Sequence, residues 1–262
     1  MAQPQKHRRS ALEIARDLER KISRRLARYY PTKPFRMRNH RPLVSFTFDD
    51  IPQSAGVHGA AVLESRNARG TFYIAGGRCG RRENGQLIVS AERALELHRR
   101  GHEIGCHTFG HSNVQLLSPE ALKEEILRNR AFFRALSADI VLDNFAYPFG
   151  ILSLQRKLQL QQIFASCRGI FPGVNRGVVD LAHLRAVEVY DRTIDWPVIE
   201  RLLKVATRSN GWLIFYTHDV DEDPSWIGCS RRLLDLVAER AIANGCEVVT
   251  IRDGMRRIGY SG

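Results

Sequence analysis

The chain has 262 residues, 44% of them apolar and 26% charged, with a formal net charge of +12. That length allows one or two domains with a real core, and no run approaches the ~18–20 consecutive apolar residues of a membrane-spanning helix. Five cysteines, Cys79, Cys106, Cys167, Cys229 and Cys246, make an odd set without a CxxC pair; this predicts buried, reduced thiols in a cytoplasmic protein rather than a disulfide framework. The first twenty residues are basic but hold no continuous apolar run, which argues against a secretory signal peptide. The excess of Lys and Arg before residue 42 suits an acidic partner, such as anionic lipid or an acidic glycan. No nucleic-acid recognition motif accompanies it.

In chain order, residues 10–30 predict a basic amphipathic helix. Leu12, Ala15, Ile22 and Leu26 fall near helical spacing. Ser10 stands at a capping position with Glu13 three residues on, and Pro31 and Pro34 end the helix. Two roles suit it: peripheral contact with an anionic membrane through residues 10–30, or packing beneath the main fold. Residues 31–42 read as a linker, so the chain divides into a basic helix and linker over 1–42 and a main domain over 43–262. There Leu43–Phe48 predicts a strand, 57–68 a helix, Gly70–Ala75 a strand, 90–100 a helix and His102–Cys106 a strand. Ser118-Pro119-Glu120 opens a helix running to about residue 136. Further strands are expected at Asn144–Ala146, Ile163–Cys167, Leu184–Val187, Trp212–Thr217 and Glu247–Thr250, and helices at 151–161, 196–208 and 230–243. This alternation predicts an α/β fold, either a parallel sheet or a (β/α) barrel. In such barrels the site is assembled where strands end and loops begin. The loops 76–90 and 168–183, with their glycines and arginines, are the expected walls of a cleft.

The polar residues at those strand ends are the candidates. Asp49 and Asp50 close VSFTFDDIP; neighbouring carboxylates repel unless a cation or a shared proton relieves them, although Asp also serves in turns and caps. His107 and His111 leave the third strand in CHTFGH, and two imidazoles at this spacing can share a metal. Gly105, Gly110 and Asn113 argue for a loop there, not a helix interior. In FAYPFG, residues 145–150, Pro148 and Gly150 bend the chain so that a backbone N–H can face an anionic oxygen, or simply form a turn. His218 and Asp219 end the apolar run WLIFYT, where an imidazole suits proton transfer near neutral pH. Each alone is weak. Together they offer one carboxylate and two imidazoles for a metal with open positions, a second carboxylate as base and a distant His as acid.

The order TFDD, HTFGH, AYPFG, DW and YTHD resembles the polysaccharide deacetylases of the NodB-like type, carbohydrate esterase family 4, across residues 43–251. The resemblance implies a distorted (β/α) barrel of about seven parallel strands, preceded here by the basic helix. It implies one divalent metal on Asp50, His107 and His111, zinc by default with cobalt or manganese as alternatives. It also implies Asp49 as the general base for the attacking water, His218 as the general acid for the leaving amine and the backbone N–H of Phe149 as an oxyanion donor. Tyr147, Pro148, Asp195 and Trp196 would lie around the substrate. The activity implied is removal of N-acetyl groups from an acetylated sugar, oligosaccharide or polysaccharide. Alternatives are O-acetyl ester hydrolysis, amide hydrolysis on a small nitrogen-rich molecule, and glycan binding without catalysis. One position departs from the family pattern. Many members carry an Arg in the third motif beside the catalytic Asp, paired with an acidic residue near the fourth, for which Asp195 is the candidate. Here Ala146 stands in its place, and Arg168 or Arg185 are the candidate replacements.

Overall fold

The computed structural model describes residues 11–261 except Asn84, with side chains from residue 17 onward. The expected Ser10–Glu13 cap and the contacts of Leu12 and Ala15 lie outside the described residues. The main sheet is parallel throughout. Its strands are β1 (Leu43–Asp49), β2 (Thr71–Ile74), β3 (Glu103–Cys106), β4 (Asn144–Ala146), β5 (Ser166–Arg168), β6 (Val187–Glu188), β7 (Trp212–Thr217) and β8 (Glu247–Val248). Seven run in the order β6-β7-β1-β2-β3-β4-β5, and β8 pairs with the start of β1. A parallel bridge between Arg168 and Leu184 carries β5 across to the segment leading into β6. The sheet therefore curls into a distorted barrel.

Strand alternation sorts two cores. Val44, Phe46 and Phe48 of β1 face outward and pack beneath the helices with Phe72, Phe145 and Phe215. Phe48 stacks on Phe72 at 4.6 Å and Phe46 on Phe215 at 5.5 Å. The other phase of the same strands faces inward, where Leu43, Tyr73, Ala146, Trp212, Ile214 and Tyr216 pack together. Ser45 and Thr47 share the inward phase, and their hydroxyls are satisfied: Trp212 Nε1 donates to Ser45 Oγ, and Thr47 Oγ1 donates to the Phe215 carbonyl. Asp49, two residues further, shares this phase, so period-2 geometry aims it into the barrel.

The outer helices are α1 (Ala11–Tyr29), α2 (Ala60–Ser65), α3 (Ala91–Arg99), α4 (Pro119–Leu136), α5 (Leu154–Leu160), α6 (Trp196–Ser209), α7 (Arg231–Ala243) and α8 (Ile251–Arg257). Ser118 caps α4 with its side chain, with Pro119 at the first position. None of these helices is long and apolar enough to cross a membrane, among the described residues.

Several local expectations change. The start of the 57–68 helix is a π-helical turn over Ala55–Gly59. Residues 31–42 are not a bare linker: Pro34–Arg36 pairs antiparallel with Val178–Asp180, and Lys33 Nζ donates to the carbonyls of Gln161, Phe164 and Ala165. α1 lies on the flank of the barrel against α5, not beneath it. Its Ser23 Oγ accepts the Leu154 N–H, and buried Lys157 Nζ donates to the carbonyls of Ala27 and Tyr30. A hairpin of Arg82–Glu83 and Gln86–Leu87 stands within the 76–90 loop.

Candidate active site

The carboxyl ends of β1, β3, β4 and β7 open into a cavity of about 690 Å³, within the size range of small-molecule sites. Asp49, Asp50, His107, His111, Phe149 and His218 all line it. Ligand atoms from Asp50, His107 and His111 lie within 4.8 Å of one another. Asp50 Oδ1 is 2.9 Å from His111 Nε2 and 3.7 Å from His107 Nε2. His107 is buried, and its Nδ1–H donates to the Ala146 carbonyl at 2.8 Å, leaving Nε2 to face Asp50. Asp50 Oδ1 and both ring nitrogens of His111 are buried, and although Oδ1 and Nε2 lie 2.9 Å apart, none of the three makes a hydrogen bond of good geometry. A buried carboxylate oxygen and imidazole left unmatched are costly, and a divalent cation among them satisfies the oxygen and one nitrogen of each ring. The donor set of one carboxylate and two imidazoles is that of zinc and related metals. The residues fit a metal.

Electrostatics agree. Burial would raise the Asp50 carboxyl, but the His111 contact and the charges of His107, His111 and His218 hold it well below the usual carboxylate range. Burial, then His111, pushes His107 down to about 4, the neutral form that a ligand must have.

The backbone is bent into place. Asp50, His111 and Phe149 all have φ near +60° (55°, 56° and 60°), as does Thr108 (59°). Such left-handed turns at non-glycine residues are uncommon and cost of order 1–3 kcal/mol each. They need support, and Glu125 of α4 supplies it for the histidine loop. Its carboxylate accepts the N–H groups of Phe109 (3.1 Å) and Gly110 (2.7 Å).

Asp49 sits one residue before Asp50, 5% exposed, and both its oxygens receive Arg168 Nη2. Arg168 is 1% exposed and lies between the rings of Tyr73 and Tyr216, 5.1 and 5.2 Å from their centroids. Ala146 is its register partner on the neighbouring strand. The guanidinium thus reaches the Asp49 carboxylate from β5, beside the small side chain of Ala146. Arg185 does not take part: it stacks on Phe171 and donates to the Pro172 carbonyl.

Across the cavity, His218 Nδ1–H donates to the Ile227 carbonyl at 3.1 Å, which leaves Nε2 to face the cavity. Buried Asp219 accepts from the Ser225 N–H and hydroxyl and so folds the loop that carries Ile227. The substrate-side candidates divide differently. Tyr147 is buried with its hydroxyl on the Ala182 carbonyl, and Pro148 is buried at the start of a 3-10 turn. Asp195 caps α6 by accepting the Val198 N–H, and Trp196 packs against the outer core. None of the four lines the cavity. Its wall comes instead from Tyr190, Tyr216, Ile170 and Ile227, with Arg78 and Glu83 from the 76–90 loop. Glu125 carries no motif signal, because it acts through contacts 13 or more residues away in sequence; Asp219 stands in the YTHD motif, but its use in folding the loop 6 residues on is not visible there.

A parallel barrel that gathers an Asp-His-His cluster at its strand ends places a possible metal site where such barrels build their active sites. Residues 36–163, just under half of the chain, match the family described as Polysaccharide deacetylase. Among curated proteins it resembles a peptidoglycan-N-acetylglucosamine deacetylase of Bacillus cereus, 31% identical over 96 residues, 36% of this chain and 41% of that protein. The match thus spans less than half of that relative's length. Two solved structures share the fold. One is IcaB from Ammonifex degensii, with 27% identity, a TM-score of 0.53, and coverage of 63% of this chain and 71% of that one. The other is a family 4 acetyl xylan esterase from Clostridium thermocellum in complex with a cobalt ion. Its identity is 20% and its TM-score 0.54, with 82% of this chain and 90% of that one covered.

Proposed function

We propose that this chain is a metal-dependent deacetylase that releases acetate from an N-acetylated sugar, oligosaccharide or polysaccharide, with residues 43–262 as the catalytic unit. The observation that carries the reading is the triad of Asp50, His107 and His111, with ligand atoms within 4.8 Å and a carboxylate oxygen and ring nitrogens left without a hydrogen bond of good geometry, next to an Arg-held carboxylate. Zinc is the first candidate for the site, with cobalt or manganese as alternatives. A bound divalent ion would polarise the acetyl carbonyl and acidify water.

The rest falls to side chains of this chain. Asp49 takes the proton of the attacking water, and Arg168 keeps its oxygens oriented. The N–H of Phe149 donates to the oxygen that gains charge as the carbonyl becomes tetrahedral. His218, carrying a proton on Nε2, gives it to the sugar nitrogen, which leaves only as a neutral amine. Tyr190, Tyr216 and Ile227 offer the apolar wall against which an acetyl methyl packs. The nearby fold of an acetyl xylan esterase keeps ester hydrolysis as the competing outcome, since the same groups attack either bond.

The test is acetate release from N-acetylglucosamine oligomers and from acetylated xylan, by protein stripped of metal and reloaded with zinc, cobalt or manganese. Activity on the oligomers should return with metal. Asp50→Ala should lose stoichiometric metal and at least ~10³-fold in rate. Release from xylan alone would assign an esterase, and full activity of Asp50→Ala would overturn the metal reading.

A further inference from the structure

Helix α1 carries an apolar row that no described residue covers. Leu18, Ile22, Leu26 and Tyr29 are 57%, 51%, 49% and 62% exposed. At about 100° per residue they share an arc of about 80°, and Lys21, Arg25 and Arg28 occupy an adjoining arc of about 60°. The helix is not waiting to dock on the barrel, because its other side is already docked. Ala27 is fully buried, and the Arg20 carbonyl accepts Gln115 Nε2. Ser23 and the carbonyls of Ala27 and Tyr30 are engaged by Leu154 and Lys157. Leu154 extends the apolar surface beside Leu18, Ile22 and Leu26.

The cationic side continues past the helix. Tyr29 borders both the apolar row and a cavity of about 530 Å³ whose wall includes Arg28, Arg176 and Arg185. The Asp180 carboxylate on that wall is tied to Lys157 at 2.5 Å, so it does little to offset these charges.

We propose that α1 is the docking surface of this protein for an anionic lipid bilayer. The row from Leu18 to Tyr29 enters the interface, and Lys21, Arg25 and Arg28 meet the headgroup phosphates beside it. Charge selects this occupant. In an antiparallel symmetric pairing of two copies through α1, the same three cations of each chain would lie against those of the other, whereas an anionic surface neutralises them. The proposal stands apart from the deacetylase reading and needs no activity to test.

Full-length protein is sedimented with vesicles of phosphatidylcholine alone and of phosphatidylcholine with phosphatidylserine. Binding should require phosphatidylserine and weaken with salt. Leu18→Ser/Ile22→Ser/Leu26→Ser should bind at least ~10-fold more weakly, with an unchanged far-ultraviolet spectrum and melting point. Lys21→Gln/Arg25→Gln keeps the apolar row and should lose about fivefold per charge removed. The proposal fails if the intact protein ignores anionic vesicles, or if both variants pellet like it. It also fails if light scattering shows a dimer that the triple variant dissolves, since a second copy would then be the occupant.

Discussion

Arg168 and Asp49 form the most consequential residue pair outside the Asp50-His107-His111 cluster. Both are buried, and neither is tolerable alone: desolvating a charge costs several kcal/mol unless a partner repays it. Burial disfavours the charged guanidinium, yet Asp49 and the flanking tyrosines hold its pKa above the ordinary value. Arg168→Met should therefore destabilise the protein by about 3–5 kcal/mol, because it strands the Asp49 carboxylate. Adding Asp49→Asn should recover part of that loss. Urea denaturation of the two single variants and the double gives the coupling; simple additivity of the two would mean that the pair is not a unit. In the sequence, Ala146 looks like a missing arginine. The register of β4 against β5 explains why it is not a gap: Ala146 and Arg168 lie side by side at one level of the barrel.

Among the strands, the approach of β2 to β3 sets this layer. Tyr73 is the register partner of Gly105, and a Cβ on Gly105 would lie 2.4 Å from the Tyr73 ring. The ring occupies that space and forms one face of the slot that holds Arg168. Gly105→Ala should cost about 1–3 kcal/mol through overpacking, seen as a lower urea midpoint. It should also lower kcat, because Tyr73 must shift toward the guanidinium; a variant with a lower midpoint and unchanged kcat would separate the ring from the site. The glycine is visible in EIGCHTFGH, but only as evidence for a loop. Its actual use, as a seat for an aromatic ring from the next strand, depends on register. Register is set by long-range pairing and not by local pattern.

Over the whole molecule, stability should depend on pH through buried histidines away from the site. Burial, then Lys157, pushes His183 down to about 4, with Arg28 and Arg185 adding to this against the opposing Asp180. His102 is also lowered, mainly by burial, with Glu64 opposing. In the unfolded chain such groups titrate near 6.5, so between that pH and about 4 the unfolded state binds more protons. The stability they hold is fully present above pH 6.5 and drains away as pH falls toward 4, on the order of 3 kcal/mol for His183. Urea midpoints measured from pH 7 to 4.5 should fall accordingly, and His183→Gln should flatten the slope. A variant that keeps the full slope would place the titration elsewhere.

Local pattern was enough for the alternation of strands and helices, the α/β class, the capped α4 and the five polar groups at strand ends. Each of these rests on period, turn chemistry or the end of an apolar run, which neighbouring residues encode. The choice of a barrel over an open sheet came from the motif resemblance. Contacts distant in sequence decided the rest. They brought Arg168 to Asp49 from another strand and set Glu125 under the histidine loop. They bound residues 33–36 into the fold and placed Asp195 and Trp196 on α6, away from the cavity. They also laid α1 on the flank of the barrel with its apolar row outward. The physical reason is common to all: a side chain's direction follows from its own strand or helix, but what stands opposite it is fixed only when the strands pair and the barrel curls shut.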